Sequence, residues 1–429
     1  MTQANWTPPQ DFIEVPSADD KIRVWAPIPQ SELSETSHTY NCPNCGAPTK
    51  FDITTSGLSC VHCGYQVKPD SKNIGKAAQE LEFRTETIKK ADMSWYENRN
   101  QVHCENCGAN LLVEKNDVSV KCLFCASNKV ILQKAPSQEF YPSAIIPFKT
   151  KPAQVENSIL TWLEKGWFHP KELQQNAKIN KLSPIYIPAW TFDTDIDAQW
   201  KALVGYERQK RYYDSSSKTW KTKTVIDWCW EDGQVKETID DFLISGSDKI
   251  QDHLFVNISN FNLSDLMEFS PDFLVGIKAQ LYSKHLPEAW NEAKGKLREY
   301  MKDACYHDIP TSHVRNFSLV ADFQNETWRI IFLPIYIITY IYQQNTYQVV
   351  VNGQTNQLAG QKPVDWNKIW LAFAGLFAPG IFAAFISLIL LVLGTPGLIG
   401  LLISFFLLVI GGIIAVSIYQ KAKASEKGS

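Results

Sequence analysis

The chain has 429 residues, 45% hydrophobic and 20% charged, with a net charge of −3. That balance excludes a global basic field of the kind that draws a whole protein onto nucleic acid. The first residues, Met1-Thr2-Gln3-Ala4-Asn5-Trp6, lack the basic and apolar regions of a signal peptide, so the body that follows is expected to stay in the cytosol. Eight of the ten cysteines fall in four Cys-x-x-Cys pairs. A reducing compartment disfavours structural disulfides, and such pairs read as metal ligands.

Residues 1–39 carry Pro8, Pro9, Pro16, Pro27 and Pro29 among scattered Ser, Asp and Glu, with no sustained hydrophobic period. An extended or disordered arm is expected.

Residues 40–68 and 101–130 are two copies of one module. Cys42-Pro43-Asn44-Cys45-Gly46 is followed by Cys60-Val61-His62-Cys63-Gly64, and Cys104-Glu105-Asn106-Cys107-Gly108 by Cys122-Leu123-Phe124-Cys125. The four cysteines repeat at an offset of 62, each copy spaced C-x2-C-x14-C-x2-C. Two residues between cysteines let both sulfurs turn onto one ion, and the following glycine permits the left-handed turn. Four thiolates around tetrahedral Zn2+ make a closed structural site with no position for substrate, and in so short a segment the metal supplies much of the folding energy. Two structural zinc ions are therefore expected, with iron as the runner-up. The short runs Lys50–Ile53 and Asn110–Val113 suit zinc ribbons. His62 and His103 flank cysteines and read as bystanders, because four thiolates already fill each site. Neither ribbon is a basic patch. The intervening 69–100, helix-prone from 74 to 96, is expected to be a helical linker.

An α+β body is expected over 140–365. Thr150-Lys151-Pro152 can start a helix with Val155, Ile159, Trp162 and Leu163 on its apolar face. Ile185–Phe192 reads as a strand, with Asp193, Asp195 and Asp197 alternating onto one face after it. These carboxylates suit metal or acid–base chemistry, or simply a solvated face. From Lys201 to Lys223 seven basic residues meet only Glu207 and Asp214, with Tyr206, Tyr212, Tyr213 and Trp220 interleaved. This reads as a strand pair turning at Asp214–Ser217, suited to anionic lipid or an acidic partner rather than nucleic acid. Residues 225–252 hold eight acids against two lysines, so the two stretches can also neutralise each other. A helix beginning near Pro287 buries Trp290, Ala293, Leu297, Met301 and Ala304. Cys305 and Cys229 read as buried small hydrophobes. Strands follow at Val314–Phe323, Trp328–Tyr342 and Tyr347–Val351.

From Ile369 to Gln420 there is no charged residue and no histidine over 52 positions, against roughly 20 for one helical span. Gly394-Thr395-Pro396-Gly397 divides the run into two transmembrane helices, 369–393 and 398–420, with a cytoplasmic tail at 421–429. Lys362 and Lys368 precede the hairpin, and Lys421, Lys423 and Lys427 follow it. Both termini are therefore expected on the cytoplasmic side of the inner membrane. Trp366, Trp370 and Tyr419 lie where interfacial aromatics anchor.

Phosphate loops, dinucleotide fingerprints, nucleophile elbows and zinc-protease motifs are absent. That pattern favours a protein that is not an enzyme, although a site using Asp193, Asp195 or Asp197 stands as a further alternative.

Several segments together resemble a bacterial family of membrane-anchored double zinc-ribbon proteins. They are Ile146-Pro147-Phe148, Trp167, Tyr186-Ile187-Pro188-Ala189-Trp190, Gly205-Tyr206, Tyr212-Tyr213, Leu333-Pro334-Ile335-Tyr336, Asn352-Gly353-Gln354-Thr355 and Pro363. The chain departs from the pattern at Tyr336 (Trp expected), Asn356 (Gly) and Ala126 (a knuckle Gly). Members are often labelled TFIIB-type zinc ribbons or helicases like primosomal protein N′. The lack of an ATP-binding loop argues against a helicase activity here. Some relatives resemble anchors of phage-shock-type membrane-stress modules. The resemblance implies a membrane-anchored adaptor that recruits a protein partner, with a membrane-tethered nucleic-acid-binding protein as the alternative. The expected fold class is multidomain α+β: two zinc ribbons with four cysteines each, a mixed antiparallel-sheet-plus-helix body and a C-terminal transmembrane helical hairpin.

Overall fold

The computed structural model describes residues 12–15, 24–27, 41–69, 71–75, 80–82, 99–114, 122–125, 127, 129–134, 142–171, 173, 178–179, 182–343, 345–391 and 395–428. The chain divides into two units, Met1–Asn41 and Cys42–Ser429. Within the first, β1 (Phe12–Val15) pairs antiparallel with β2 (Val24–Pro27), so part of the expected arm is a hairpin.

The second unit begins with a separate three-stranded sheet, β3 (Thr49–Asp52), β4 (Gly57–Cys60) and β5 (Gln66–Val67). Of the segment expected to be a helical linker, the described residues include β6 (Leu81–Glu82), which is extended. Residues 76–79 and 83–98 lie outside the described residues. The second module supplies β7 (Arg99–Cys104), β8 (Asn110–Glu114) and β9 (Val130–Lys134). The body follows with β10 (Ala144–Ile145), α1 (Pro152–Glu164), β11 (Lys178–Ile179), β12 (Ser183–Asp214), β13 (Thr219–Ser245), α2 (Asp252–Ile258), β14 (Met267–Glu268), β15 (Lys278–Gln280), α3 (Leu286–Asp308), β16 (Val314–Tyr342), β17 (Asn345–Asn352) and β18 (Leu358–Gly360). The chain closes with α4 (Trp366–Leu390) and α5 (Thr395–Lys427).

One 13-stranded sheet joins β8, β7 and β9 to the body, because β8 pairs with β15, which pairs with β12. Val102, Leu111, Val113 and Phe124 share a core with Ile185, Ile335 and Leu254. The second module thus shares its sheet and core with the body.

The sheet is dominated by three very long strands. Ile185–Phe192 and the strand pair from Lys201 read as separate pieces, yet β12 runs through both for 32 residues, about 100 Å at ~3.3 Å per residue. The cause is uninterrupted alternation. Phe192, Thr194, Ile196, Ala198, Trp200, Ala202 and Val204 are buried, while Asp193, Asp195, Asp197, Gln199 and Lys201 between them are polar and more exposed. The buried face lies under α3, whose Leu286, Ala289, Trp290, Ala293, Leu297, Met301 and Cys305 recur at helical spacing and are buried with it. Val314–Phe323 and Trp328–Tyr342 merge into the single strand β16, which passes an irregularity at Asn325, where φ is +53°. Beyond Val204, paired with Val314, β12 and β13 continue as a two-stranded ribbon. Cys229, opposite Val204 on β13, which among the described residues pairs with β12 alone, is exposed rather than buried. Cys305 is buried.

At the other end, four of the segments carrying the family resemblance, those with Phe148, Tyr186, Tyr336 and Asn352, meet in the core, whereas Trp167, Tyr206, Tyr212 and Tyr213 are exposed. Phe148 sits between Tyr186 and Tyr336, each ring 5.0 Å away. The Tyr336 hydroxyl donates to the Thr150 carbonyl at 2.7 Å. Asn352 Nδ2 donates to the Ile258 carbonyl at 2.8 Å. Pro188 and Pro334 face Phe332 and Tyr186 across the β12–β16 pairing, so the two proline-bearing strands are direct partners.

Both C-terminal helices are long and apolar enough to cross a membrane. Phe382, Phe385, Leu402, Phe405 and Ile413 are each at least 60% exposed, unlike the face of a soluble core helix. The pair packs through small residues: a Cβ on Gly380 would meet Leu408, and Ser404 Oγ donates to the Gly380 carbonyl at 2.7 Å. Gly394 lies outside the described residues, and Thr395–Gly397 form the start of α5 rather than a turn. The expected tail is the end of α5: Ala422 is buried, and Lys362 N–H donates to the Ser425 carbonyl at 3.0 Å. Lys362 is no free flanking charge. Its buried ammonium donates to the Trp162 and Lys165 carbonyls at the end of α1, satisfying groups that a helix C-terminus leaves open. Burial pushes its pKa down to about 8.

Candidate metal centres

Each cysteine cluster is built by two tight turns at the ends of short strands. In the first, Gly46 N–H donates to the Cys42 carbonyl at 2.8 Å and Gly64 N–H to the Cys60 carbonyl at 3.0 Å. Gly46 and Gly64 take φ of +72° and +73°, the region that favours glycine. Each turn folds its second cysteine back onto the first. The second cluster repeats this: Gly108 N–H donates to the Cys104 carbonyl at 2.7 Å, with φ +72° at Gly108. Ala126, where the fourth glycine is missing, lies outside the described residues.

All eight predicted ligands come together as two sets, Cys42, Cys45, Cys60, Cys63 and Cys104, Cys107, Cys122, Cys125, with the four sulfurs of each set within 4.8 Å of one another. Sγ–Sγ distances are 3.4 Å for Cys42–Cys63 and 3.5 Å for Cys45–Cys60. In the other set they are 3.7 Å for Cys104–Cys125 and 3.5 Å for Cys107–Cys122. A tetrahedral ion with metal–sulfur bonds of ~2.3 Å requires about 3.8 Å between sulfurs, so either cage closes on such an ion with a small expansion. No disulfide links these cysteines. His103 Nδ1 lies 2.8 Å from Asn110 Oδ1 and His62 is exposed, so each set consists of cysteines alone.

Four thiols this close do not all ionise unaided. The Tyr65 N–H and then the neighbouring Cys42 thiol pull Cys63 down to about 6. The Ala47 N–H would lower Cys45, but its neighbours Cys60, Cys63 and Cys42 outweigh it and push that thiol up to about 12. Burial raises Cys107 to about 11 and raises Cys122 further. Burial opposes ionisation of Cys125 too, yet the Asn106 amide and the Ser127 N–H bring it down to about 7. One lowered thiol beside at least one raised thiol in each cage is the signature of crowded like charges, and a dication relieves that crowding.

The surroundings of the two cages differ. The first opens outward, with Cys45 and Cys63 exposed. It meets the body where Phe51 N–H donates to the Val275 carbonyl at 2.9 Å and the Phe51 and Phe273 rings lie 5.5 Å apart. In the second, Cys104 and Cys122 belong to the body core.

Asp193, Asp195 and Asp197 do share one face of β12, but only Asp193 enters a cluster. Its carboxylate meets those of Glu80 and Asp241 within 4.8 Å. Asp241 occupies a left-handed position, φ +59°, at an irregularity in β13, and its N–H donates to Asp193 Oδ1 at 2.5 Å. The buried Arg329 guanidinium pairs with Asp241, approaches Glu80 at 3.6 Å and donates to Thr191 Oγ1 at 3.1 Å. Burial, then the hydrogen bond with Glu80, raises Asp193 to about 7. Glu80 and Arg329 were not singled out from the sequence, because long-range pairing of β6 with β16 brings them here. Asp195 and Asp197 sit on the open sheet face, held by Thr238, Asn325, Gln234 and Lys236. Two surface cavities of about 430 and 530 Å³ lie beside the end of α5, lined in part by Trp162 and Lys421 and by Tyr347 and Trp366. Neither includes the Asp193 cluster.

No family model matches the chain, and no solved structure matches it. It is similar to an uncharacterized protein of Bacillus subtilis (strain 168), YdjG, at 26% identity over 362 residues, which covers 83% of this chain and 98% of the relative.

Proposed function

We propose that the chain is a membrane-anchored zinc-ribbon scaffold, multidomain in organisation, that recruits a protein partner to the cytoplasmic face of the inner membrane and performs no catalysis. The observation that carries this reading is the combination of two closed tetrathiol cages with an exposed apolar helix pair in one unit. Cages with four protein ligands leave no position for substrate, and Zn2+ suits four thiolates without redox chemistry. The helices cross the bilayer as a hairpin. Lys368, Lys421 and Lys423 mark the cytoplasmic side, and the Trp366–Tyr419 ring pair, 5.8 Å apart, sits at the interface. The exposed first cage is the outward-facing candidate for partner contact, and the second stiffens the body. By analogy with the family resemblance, the setting is a membrane-stress module.

The test is affinity purification of the full-length protein in detergent, with mass spectrometry and metal quantification together. Two zinc per chain, one for each cage, and one dominant protein partner support the reading. Metal-free folded protein, or purification without a partner, counts against it. A membrane-tethered nucleic-acid-binding role is the second reading, supported by the basic ribbon at the end of β12 and β13. It predicts salt-sensitive binding lost on changing Arg208, Lys210 and Arg211 to Glu.

A further inference from the structure

We infer that the far end of the β12–β13 ribbon is a docking surface for an anionic lipid bilayer. The inference rests on the anchored topology proposed above but not on the recruited partner. Between Arg208 and Thr224 there are six basic residues and one acid, Asp214. That acid is already engaged, accepting hydrogen bonds from Ser216 and Ser217 and pairing with Lys221. Asp227 pairs with Arg208 at 2.6 Å. Among the described residues Lys210, Arg211, Lys218 and Lys223 form no salt bridge.

Beyond the Arg208–Asp227 pair, the neutralisation that the sequence allows does not reach the tip. Strand register puts Glu231 and Asp232 opposite Ala202 and Lys201, and Glu237 opposite Ile196. The nearest of these is eight residues from Lys223, about 26 Å back along the ribbon at ~3.3 Å per residue. Instead, Lys210 stands directly opposite Lys223. Like charges at cross-strand positions destabilise a sheet, and an external anion relieves that repulsion.

The aromatic residues identify the anion's setting. Trp220 and Tyr213 face each other next to the turn, 65% and 52% exposed, with rings 5.6 Å apart. Tyr212 lies on the opposite face under Lys223, whose ammonium is 5.3 Å from the ring centroid. Exposed Trp and Tyr at the end of a projection, with Lys and Arg around them, match the headgroup region of a bilayer. Each basic residue near an anionic surface contributes to attraction. A two-stranded ribbon also fits a DNA major groove. Competition by duplex DNA is therefore one arm of the test. The Asp214-centred turn holds the tip in shape before any ligand arrives.

The test uses full-length protein in phosphatidylcholine nanodiscs, floated with vesicles of phosphatidylcholine alone or mixed with phosphatidylserine. Flotation should require phosphatidylserine and weaken with salt. Changing Lys210, Arg211, Lys218 and Lys223 to Gln should weaken it by about a thousandfold, at roughly 1 kcal/mol per basic residue. Replacing the three lysines by Arg should preserve it, and Trp220→Ser should weaken it. Circular dichroism and metal content report whether each variant folds. Should the Gln variant misfold, Trp220→Ser and the salt series on the unaltered protein decide. Equal flotation on neutral vesicles, or no response to these changes, overturns the inference. Displacement of the protein from vesicles by duplex DNA at equal phosphate overturns it in favour of nucleic acid.

Discussion

Replacing Asp193 by Asn tests the buried carboxylate cluster in the long sheet. Asp193 is raised to about 7 by burial and by sharing a hydrogen bond with Glu80, whereas an unfolded aspartate titrates near ~3.9. Between those limits the folded protein keeps a proton that the unfolded chain has lost, so stability falls as pH rises through the window and the penalty is complete above about pH 7. Undamped, the difference would be roughly 4 kcal/mol. Asp193 is only half-buried, and solvent screening reduces the expected effect to about 1–2 kcal/mol. The carboxamide has nearly the same shape, and its oxygen can still accept from the Asp241 N–H. It carries no charge to desolvate. The assay is urea unfolding of full-length protein in detergent at about pH 6 and about pH 8, compared between wild type and variant so that effects common to both cancel. Wild type should lose stability at the higher pH, Asp193→Asn should lose less, and the variant should be the more stable of the two there. A wild-type midpoint that is flat or rising with pH, together with a variant weakened at both pH values, would refute the reasoning.

Cys122→Ser should lower the unfolding midpoint of the whole body, since this cage belongs to its core and sheet. Cys60→Ser should open only residues near the first cage, as limited proteolysis would show, and each variant should bind one metal fewer. Gly353→Ala should cost about 1–3 kcal/mol, by thermal unfolding, because overpacking a filled site forces its neighbours to move. The added Cβ would lie 2.5 Å from the Phe148 ring, itself fully buried between two tyrosines. Trp290→Ala should cost about 3–5 kcal/mol by the same measurement, since its ring packs 5.0 Å from Phe192 and 5.9 Å from Phe323 at the centre of the α3 core.

The cages were legible because their information is local: a cysteine pair and a glycine specify a turn wherever the chain goes. The apolar helix pair was legible because a long uncharged run is read directly from the sequence. The face of α3 was visible in the spacing of Trp290, Ala293, Leu297 and Met301. What escaped was set by pairing at long range. The two pieces of β12 that read as strand are joined into one strand of 32 residues by β16 lying alongside Asp193–Lys201, itself continued past Asn325 by a left-handed residue. Lys362 looked like a flanking charge because its acceptors, the last carbonyls of α1, are some 200 residues away in sequence. Cys229 looked buried because tryptophans flank it, but two-residue alternation places them on the other face of an edge strand. The triad of Glu80, Asp193 and Asp241 draws on three strands or their flanks, and only one of its members was suspected.

The central claim is recruitment. Its most direct measurement is the distribution of the co-purifying partner between membrane and soluble fractions in cells carrying either the full chain or one ended before Trp366. The account predicts that the partner moves to the soluble fraction, still bound to the truncated chain. A partner that remains at the membrane without α4 and α5 would contradict it.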